Sequence, residues 1–170
     1  MYEGHEIAVH TLTHQDLTKL DKDTVYNEVF LNKQNLERMF ECKITGMAYP
    51  YGAYNDEVVQ ILKKCGIQYA RLVESSKSFS LQKDLLRFKP NCHHNDENIW
   101  ELLDRFLNEK NGEKQLFCIW GHSYEFDINH NWKRMEEILD KLSGCKKVFY
   151  GTNREVFFPC LFQDVGVRKN

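Results

Sequence analysis

Short apolar segments alternate with longer amphipathic ones along this chain, and that alternation constrains the fold more than any other feature. Apolar residues three and four positions apart are typical of helices with one buried face, whereas short apolar runs between turn residues are typical of buried strands. The pattern predicts helices over 23–42, from Asn55 or Asp56 to Cys65, from Asp96 or Asn98 to about Asn108, and over 132–142. It predicts strands at 7–9, 44–48, 67–73, 115–122 and 146–152, with a less regular candidate at 85–88.

The order of these elements favours an α/β fold, with a parallel sheet or barrel and helices outside it. Thr152 and Glu155 have the spacing of a capping box, so we expect a short helix after the last strand. Ligands of such folds bind at the carboxyl ends of the strands. Polar residues that follow the predicted strands are therefore the candidates for a site.

Length and charge limit the classes of function. The 170 residues suffice for one domain with a sizeable core, and we expect a single domain over 1–170. The net charge of -2 offers no general attraction to phosphate backbones, so no nucleic-acid partner is expected. No apolar run approaches the roughly 20 residues that span a bilayer. The first residues lack the regions of a signal peptide, so the chain as given is expected in the cytoplasm unless an upstream segment carries a signal.

The segment "GHEIAVHTLTH" places His10 and His14 after the first predicted strand. Two imidazoles four residues apart can converge on one cation when the backbone between them turns, and neutral nitrogen ligands suit zinc and similar metals. The spacing alone is a weak metal signal, because surface histidines four apart often arise by chance.

Two further strand ends carry chemistry-bearing residues. The loop of "AYPYG" follows the strand at 44–48, and "WGH" ends the strand at 115–122. His122 has a side chain whose pKa ordinarily lies near neutrality, so it could act as a general acid or base. A histidine at the edge of the core, hydrogen-bonded to a carbonyl, is the alternative interpretation.

Taken together and in this order, "GHEIAVHTLTH", "AYPYG" and "WGH" resemble successive motifs of the polysaccharide deacetylases, the NodB homology domain of carbohydrate esterase family 4. The resemblance runs from Gly4 to about Phe158. It implies a distorted (β/α) barrel and a metal-dependent hydrolase that removes acetyl groups from N-acetylated or O-acetylated sugars of an oligo- or polysaccharide.

The resemblance also implies roles for individual residues. His10 and His14 match metal ligands, with zinc the expected ion and cobalt or nickel as alternatives. Tyr51, next to Pro50, matches the position whose backbone N–H helps to hold the oxyanion, and His122 matches the general acid that protonates the leaving amine. An aromatic or cationic contact with the substrate is expected from Trp120, which replaces the family's usual leucine, and from Arg87.

The sequence departs from the family at its beginning. An Asp-Asp pair on the first strand supplies the catalytic base and the third metal ligand of the family, and it should precede Gly4, but it is absent. We therefore expect a barrel incomplete at its N-terminus, weak or absent metal binding, and little or no hydrolysis by the chain as given. A missing first strand would expose a sheet edge, which makes a homodimer plausible. An arginine that orients the base in some members is Ala48 here. Arg87 is the candidate substitute, and an exposed arginine without such a role is the alternative.

Three alternatives stay open. The chain could be a non-catalytic carbohydrate-binding or scaffold protein that keeps the fold without the base. Cys92, His93 and His94 could form a metal site, although adjacent side chains on an extended segment are expected to point apart. Glu125 or Asp127 could orient His122, as carboxylates often do for working histidines.

Overall fold

The computed structural model describes residues 2–108 and 112–159, and it divides into two compact units. Of the described residues, 2–70 and 148–159 form unit one, and 71–108 and 112–147 form unit two. Both units mix helices with short strands, so the predicted α/β class is confirmed. No helix in the described part of the chain is long and apolar enough to cross a bilayer.

Unit one is built around a sheet of two strands, β1 and β2, and three helices. Its elements in chain order are α1 (Lys22–Phe40), β1 (Gly46–Ala48), α2 (Asp56–Lys64), β2 (Tyr69–Arg71, whose last residue begins unit two) and α6 (Asn153–Phe157). Short 3-10 turns at Leu17–Lys19 and Pro50–Gly52 precede α1 and α2. Val9 adds a single parallel bridge to Met47 of β1.

Unit two has a second two-stranded sheet and three helices. Its elements are β3 (Cys92–His93), α3 (Ile99–Asn108), β4 (Ile119–Trp120), α4 (Ser123–Asn129) and α5 (Trp132–Leu142). β3 and β4 are parallel, with Cys92 opposite Ile119 and His93 opposite Trp120. This register puts the residues after His93 and Trp120 at the same edge of the sheet.

Local signals in the sequence set the helix boundaries. The Asp21 carboxylate accepts the backbone N–H groups of Asp23 and Thr24, which begins α1, and Asn55 caps α2 by accepting the N–H of Val58. Gly66, with φ of 77°, follows the end of α2. These helices confirm the predictions for 23–42 and 56–65, and the helices α3, α5 and α6 are confirmed in the same way.

Each unit has its own apolar core. In unit one the fully buried side chains include those of Val9, Val29, Ile44, Leu62 and Tyr69. In unit two one cluster gathers residues of β3, α3 and α5 with Phe79, and its buried members are Phe79, Cys92, Ile99, Leu102, Leu103 and Ile138. The apolar faces read from the sequence are therefore the faces that pack.

Several predicted strands are wrong in extent or in kind. Residues 85–88 form a 3-10 turn at Leu85–Arg87, followed by a bridge from Phe88 to Arg71, because one tight turn already buries both Leu86 and Phe88. The predicted strand at 146–152 is not a strand, and its aromatic rings at Phe149 and Tyr150 lie exposed.

The predicted strands at 115–122 and 7–9 are shorter than expected. The first keeps strand geometry only at Ile119–Trp120, and the second is a single bridge at Val9. Residues after His122, where no helix was predicted before 132, form α4. An apolar run in a sequence indicates that its residues are buried. Only the residues that pair with a neighbouring strand take up strand structure.

Burial predicts the effect of truncating α5. Ile138 is fully buried in the core of unit two, whereas its neighbour Leu139 is 53% exposed. We expect Ile138→Ala to lower the free energy of unfolding by about 2–5 kcal/mol, because it removes apolar contacts and leaves a cavity. The matched variant Leu139→Ala should change it by less than about 1 kcal/mol. Urea unfolding followed by circular dichroism measures both, and equal losses would contradict the described packing of α5.

Candidate functional site

His10 is positioned by main-chain pairing with β1. Val9 donates its N–H to the carbonyl of Gly46 and accepts the N–H of Ala48, both at 2.9 Å, so His10 emerges beside the end of β1. There the His10 Nδ1 lies 2.7 Å from the carbonyl oxygen of Ala48. A carbonyl can only accept, so Nδ1 carries the proton and Nε2 presents a lone pair.

The structure brings His14 to the same place. The centroids of the His10 and His14 rings lie 4.7 Å apart, and the ring of Tyr51 lies 4.8 Å from that of His14. The backbone N–H of His14 donates to the hydroxyl of Thr11 at 3.0 Å, which closes the turn between the two histidines. The predicted pairing of His10 with His14, and their proximity to the loop at 49–52, are both seen in unit one.

Three non-glycine residues of this region have backbone conformations that residues with a side chain rarely adopt. Thr11, His14 and Tyr51 have φ of 65°, 58° and 57°, in the left-handed region. Such residues cost on the order of 1–3 kcal/mol each and tend to cluster at functional sites, and for the β-branched Thr11 the conformation is a clear outlier. The loop is therefore held in its shape by its surroundings.

The donor set of this pair fits a zinc-like cation. A metal-binding histidine normally donates its second ring N–H to a carbonyl or carboxylate, and His10 does so to Ala48. Among the described residues, no third histidine, cysteine or carboxylate joins the pair in a group of ligand atoms. His10 and His14 are thus two residues that could hold such a cation.

In unit two, His122 lies between β4 and α4 as predicted, at the N-cap of α4. Its ring stacks on that of Tyr124 with centroids 5.1 Å apart and meets the ring of Trp120 edge-on at 5.9 Å. Of the two candidate carboxylates, Glu125 is the one beside it: one Glu125 oxygen accepts the His122 backbone N–H at 2.9 Å and lies 3.5 Å from Nδ1. Asp127 instead accepts the indole N–H of Trp132.

Sequence reasoning missed how His93 and His94 are arranged. Their ring centroids are 4.2 Å apart, and both Nε2 atoms reach the same oxygen of Glu125, at 3.0 and 2.8 Å. The expectation that adjacent side chains diverge is wrong here, because the strand ends at His93 and the chain turns, with the Asp96 N–H bonded to the His93 carbonyl. Cys92 packs in the core and takes no part.

The ligand-type atoms of His93, His94 and Glu125 lie within 4.8 Å of one another, a spacing that a metal ion can use. The hydrogen bonds favour another interpretation. The backbone N–H of Asn95 donates to His93 Nδ1 at 3.2 Å, so the ring proton is on Nε2, where it is donated to Glu125. A cation on that Nε2 would require the proton to move to a nitrogen that already faces a donor. The cluster is therefore best described as a carboxylate shared by several N–H donors.

These donors hold Glu125 ionised. Desolvation alone would raise the pKa of Glu125, but the hydrogen bonds from the His122 backbone N–H and from His94, with the influence of His93, lower it to about 2. The pKa of His93 is lowered by its own burial and by the neighbouring His94. Unit two thus keeps a carboxylate charge beside His122 over the whole physiological range of pH.

Gly121 makes this cluster sterically feasible. A Cβ added at Gly121 would lie 1.9 Å from a ring carbon of His94, which is only 2% exposed. Gly121 has no side chain to occupy this space. It lets the His94 imidazole lie flat against the chain.

The remaining predicted residues fall in both units. Pro50 is buried and begins the 3-10 turn that carries Tyr51. Arg87 lies on the turn at Leu85–Arg87 and forms an ion pair with Asp84. Trp120 lies in β4, with the guanidinium of Arg71 4.7 Å above its ring. The substrate contacts assigned to Arg87 and Trp120 stay predictions.

A comparison with family models matches residues 1–70, which contain His10, His14 and the loop at 49–52, to the polysaccharide deacetylases. The matched segment is less than half of the chain, and it is similar to the polysaccharide deacetylase family. The resemblance read from the motifs at 4–14 and 48–52 is confirmed for this segment.

Curated proteins are similar to this chain over short stretches. The chain is 32% identical over 65 residues to YxkH of Bacillus subtilis, named as a polysaccharide deacetylase, covering 38% of the chain and 23% of that protein. It is 29% identical over 76 residues to the poly-β-1,6-N-acetyl-D-glucosamine N-deacetylase of Staphylococcus aureus, covering 43% of the chain and 26% of that protein. The matched stretch thus spans about a quarter of each curated relative.

Solved structures of deacetylase-type domains share the fold over most of the chain. The carbohydrate esterase family 4 domain of a multidomain xylanase from the hindgut metagenome of Trinervitermes trinervoides aligns with 98% of this chain and 68% of its own, at a TM-score of 0.52 and 17% identity. A family 4 pseudoenzyme from Bacillus anthracis aligns with 89% of this chain and 46% of its own, at a TM-score of 0.53 and 16% identity. At these identities the likeness shows the fold alone.

The role of Gly121 is testable by adding one methyl group. In Gly121→Ala the new Cβ would displace the His94 ring and so break its hydrogen bond to Glu125. We expect a loss of about 1–3 kcal/mol in the free energy of unfolding, as for other overpacked positions. Gly144→Ala is a poor comparison because of its positive φ, so Ser143→Ala serves as the control in the same unit. Unchanged stability in Gly121→Ala, measured by urea unfolding, would contradict the described packing of His94.

The ionisation of Glu125 predicts a pH dependence. Its folded pKa of about 2 lies below the ordinary value of 4.5, so its contribution to stability is complete above about pH 4.5 and is lost as the pH falls towards 2. We expect wild type to be more stable than Glu125→Gln at pH 6, with the difference shrinking below pH 4.5. Urea unfolding of both proteins between pH 3 and 7 measures this. A difference that stays constant down to pH 3 would show that the charge of Glu125 does not act as described.

Proposed function

We propose that this chain is the part of a metal-dependent polysaccharide deacetylase that supplies two metal ligands and the oxyanion loop. The reaction is the hydrolysis of N-acetyl or O-acetyl groups on sugars of an oligo- or polysaccharide, which breaks a carbon–nitrogen bond other than a peptide bond in the N-acetyl case. The relatives named for deacetylation of polysaccharides support this substrate class.

The observation that carries the proposal is the hydrogen bond from His10 Nδ1 to the Ala48 carbonyl, with His14 alongside. It orients the unprotonated Nε2 of His10 in the manner of a metal ligand. Three strained residues at this one loop region add support, because strain without a use tends to be lost. The family match covers the same residues.

In this mechanism His10 and His14 would hold zinc, with cobalt or nickel as substitutes. The chemistry that zinc supplies in such a site is polarisation of the acyl carbonyl and activation of water. The backbone N–H of Tyr51 is proposed to donate to the oxyanion that develops on the acyl oxygen. Pro50 and the hydrogen bonds of Gly52 to Tyr49 and of Ala53 to Pro50 keep that turn rigid.

His122 is proposed to protonate the leaving nitrogen as a general acid. The ionised Glu125 beside it would stabilise the charged imidazolium and orient its ring. Trp120 and Arg87 are proposed to contact the sugar chain, and Tyr124 offers a stacked aromatic face next to His122. These roles rest on the resemblance and on the geometry of unit two by itself.

No residue of the chain is assigned as the base that takes the proton from water. The residues before His10 contain two carboxylates, at Glu3 and Glu6. Glu6 already accepts hydrogen bonds from the hydroxyl of Tyr69 and from the backbone N–H of Arg154.

The distorted barrel, the single-domain organisation, the homodimer and the cytoplasmic location stay predictions.

The first test is metal binding together with acetate release. We expect cobalt or zinc to bind the wild-type chain and the double variant His10→Ala, His14→Ala to bind at least about 100-fold more weakly. Titration calorimetry and the visible spectrum of bound cobalt measure the affinity. Acetate release from β-1,6-linked N-acetylglucosamine oligomers in the presence of zinc measures the reaction.

His5→Ala is the matched control, because it removes an exposed histidine of the same unit that lies outside the pair. It should leave metal affinity unchanged. Identical titrations for wild type and the double variant would overturn the metal assignment. Binding of oligomers without acetate release by the full-length protein would favour a non-catalytic carbohydrate-binding protein instead.

A further inference from the structure

A buried carboxylate on α1 is not explained by the deacetylase chemistry. The Glu28 side chain belongs to a residue only 7% exposed, and it forms no ion pair with any of the described residues. One of its oxygens accepts the backbone N–H groups of both Leu12 and Thr13, each at 2.9 Å. The other oxygen accepts the Thr13 hydroxyl at 2.8 Å. All three donors belong to the segment between His10 and His14.

One turn further along the same helix, Asn32 makes the complementary contact. Its side-chain oxygen accepts the backbone N–H of His10 at 3.1 Å. Residues four apart lie on the same face of a helix, so α1 presents Glu28 and Asn32 together to the histidine segment. The side chains of Glu28 and Asn32, on one helix, thus accept four hydrogen bonds from the segment between His10 and Thr13.

The strain of the segment explains why such acceptors are needed. Thr11 and His14, on either side of the clamped residues, have positive φ. Consecutive N–H groups that point towards one anion are a conformation that the backbone adopts when an acceptor is in place. Burying the Glu28 carboxylate without hydrogen-bond donors would also cost free energy. The segment therefore stabilises the buried carboxylate, and the carboxylate stabilises the strained segment.

We propose that Glu28 and Asn32 are positioning residues, which hold His10 and His14 in the arrangement that binds the metal. This inference rests on the proposed function, because it concerns the metal pair of that function. The hydrogen bonds of both side chains go to backbone N–H groups and to the Thr13 hydroxyl. Their effect is exerted through the backbone of the segment.

Two pairs of variants distinguish the effect of losing the hydrogen bonds of Glu28 and Asn32 from the effect of replacing the side chain itself. Glu28→Met keeps much of the volume and removes both acceptors, whereas Glu28→Gln keeps an amide oxygen for the two N–H groups and an NH2 group that can donate to the Thr13 hydroxyl. Asn32→Ala removes the acceptor for His10, and Asn32→Asp keeps it. The conservative member of each pair should rescue the loss seen in the other.

Glu37→Met is the matched control for general damage to α1. Glu37 lies on the same helix and also accepts a backbone N–H, that of Ile44 at 3.0 Å, together with the ammonium of Lys33. Both of these partners lie outside the histidine segment. Glu37→Met should lower stability without lowering metal affinity.

Cobalt affinity, measured at a temperature where circular dichroism shows every variant folded, is the main readout. We expect Glu28→Met and Asn32→Ala to bind cobalt about 10- to 100-fold more weakly than wild type, as for other residues that orient metal ligands, and the conservative variants to stay within about threefold. Amide hydrogen exchange of Leu12 and Thr13 should accelerate in Glu28→Met and not in Glu37→Met.

The outcomes distinguish the two levels of the proposal. If wild type binds cobalt and Glu28→Met binds it equally tightly, the positioning role is wrong while the metal site stands. If Glu37→Met weakens binding as much as Glu28→Met, the effect is one of helix stability and the inference is also wrong. If wild type binds no cobalt, the metal assignment and the inference that rests on it both fall.

Discussion

The candidate site in unit one depends on the pairing of Val9 with β1. Two main-chain hydrogen bonds, from Val9 to Gly46 and from Ala48 to Val9, bring the chain past the end of that strand. His10 is thereby placed where its Nδ1 meets the Ala48 carbonyl, and that contact decides which ring nitrogen is free of its proton. Without the pairing, His10 and His14 would be two exposed histidines on a loop.

Carboxylates on helices organise both histidine groups. In unit one, Glu28 of α1 gathers the backbone N–H groups of the segment between His10 and His14. In unit two, Glu125 of α4 gathers the ring N–H groups of His93 and His94 and the backbone N–H of His122. The physical reason is the same, since a partly desolvated carboxylate is stable only where several donors surround it. Each helix therefore selects one conformation for the polar segment next to it.

Helices were predicted well from the sequence and strands less well. Periodic apolar residues and local caps act within one segment, so Asp21, Asn55 and the Thr152–Glu155 pair mark helix starts without knowledge of the rest of the chain. Strands require a partner, and the apolar residues at 146–152 lack one among the described residues. The helix α4 was missed because it is only seven residues long and its first turn, with Ser123 and Glu125, is polar like a loop.

The sequence by itself determined the similarity of residues 1–70 to polysaccharide deacetylases, the order of most elements, and the pairing of His10 with His14, because these follow from motifs and periodicities that lie within short stretches. Tertiary structure alone decided that His93 and His94 converge on Glu125, that Glu125 and not Asp127 lies beside His122, and that Gly121 makes room for an imidazole. The contacts of His93 and His94 with Glu125, and of His94 with Gly121, join residues about 30 positions apart through the register of β3 with β4. Nothing in the spacing of residues along a chain records such a register.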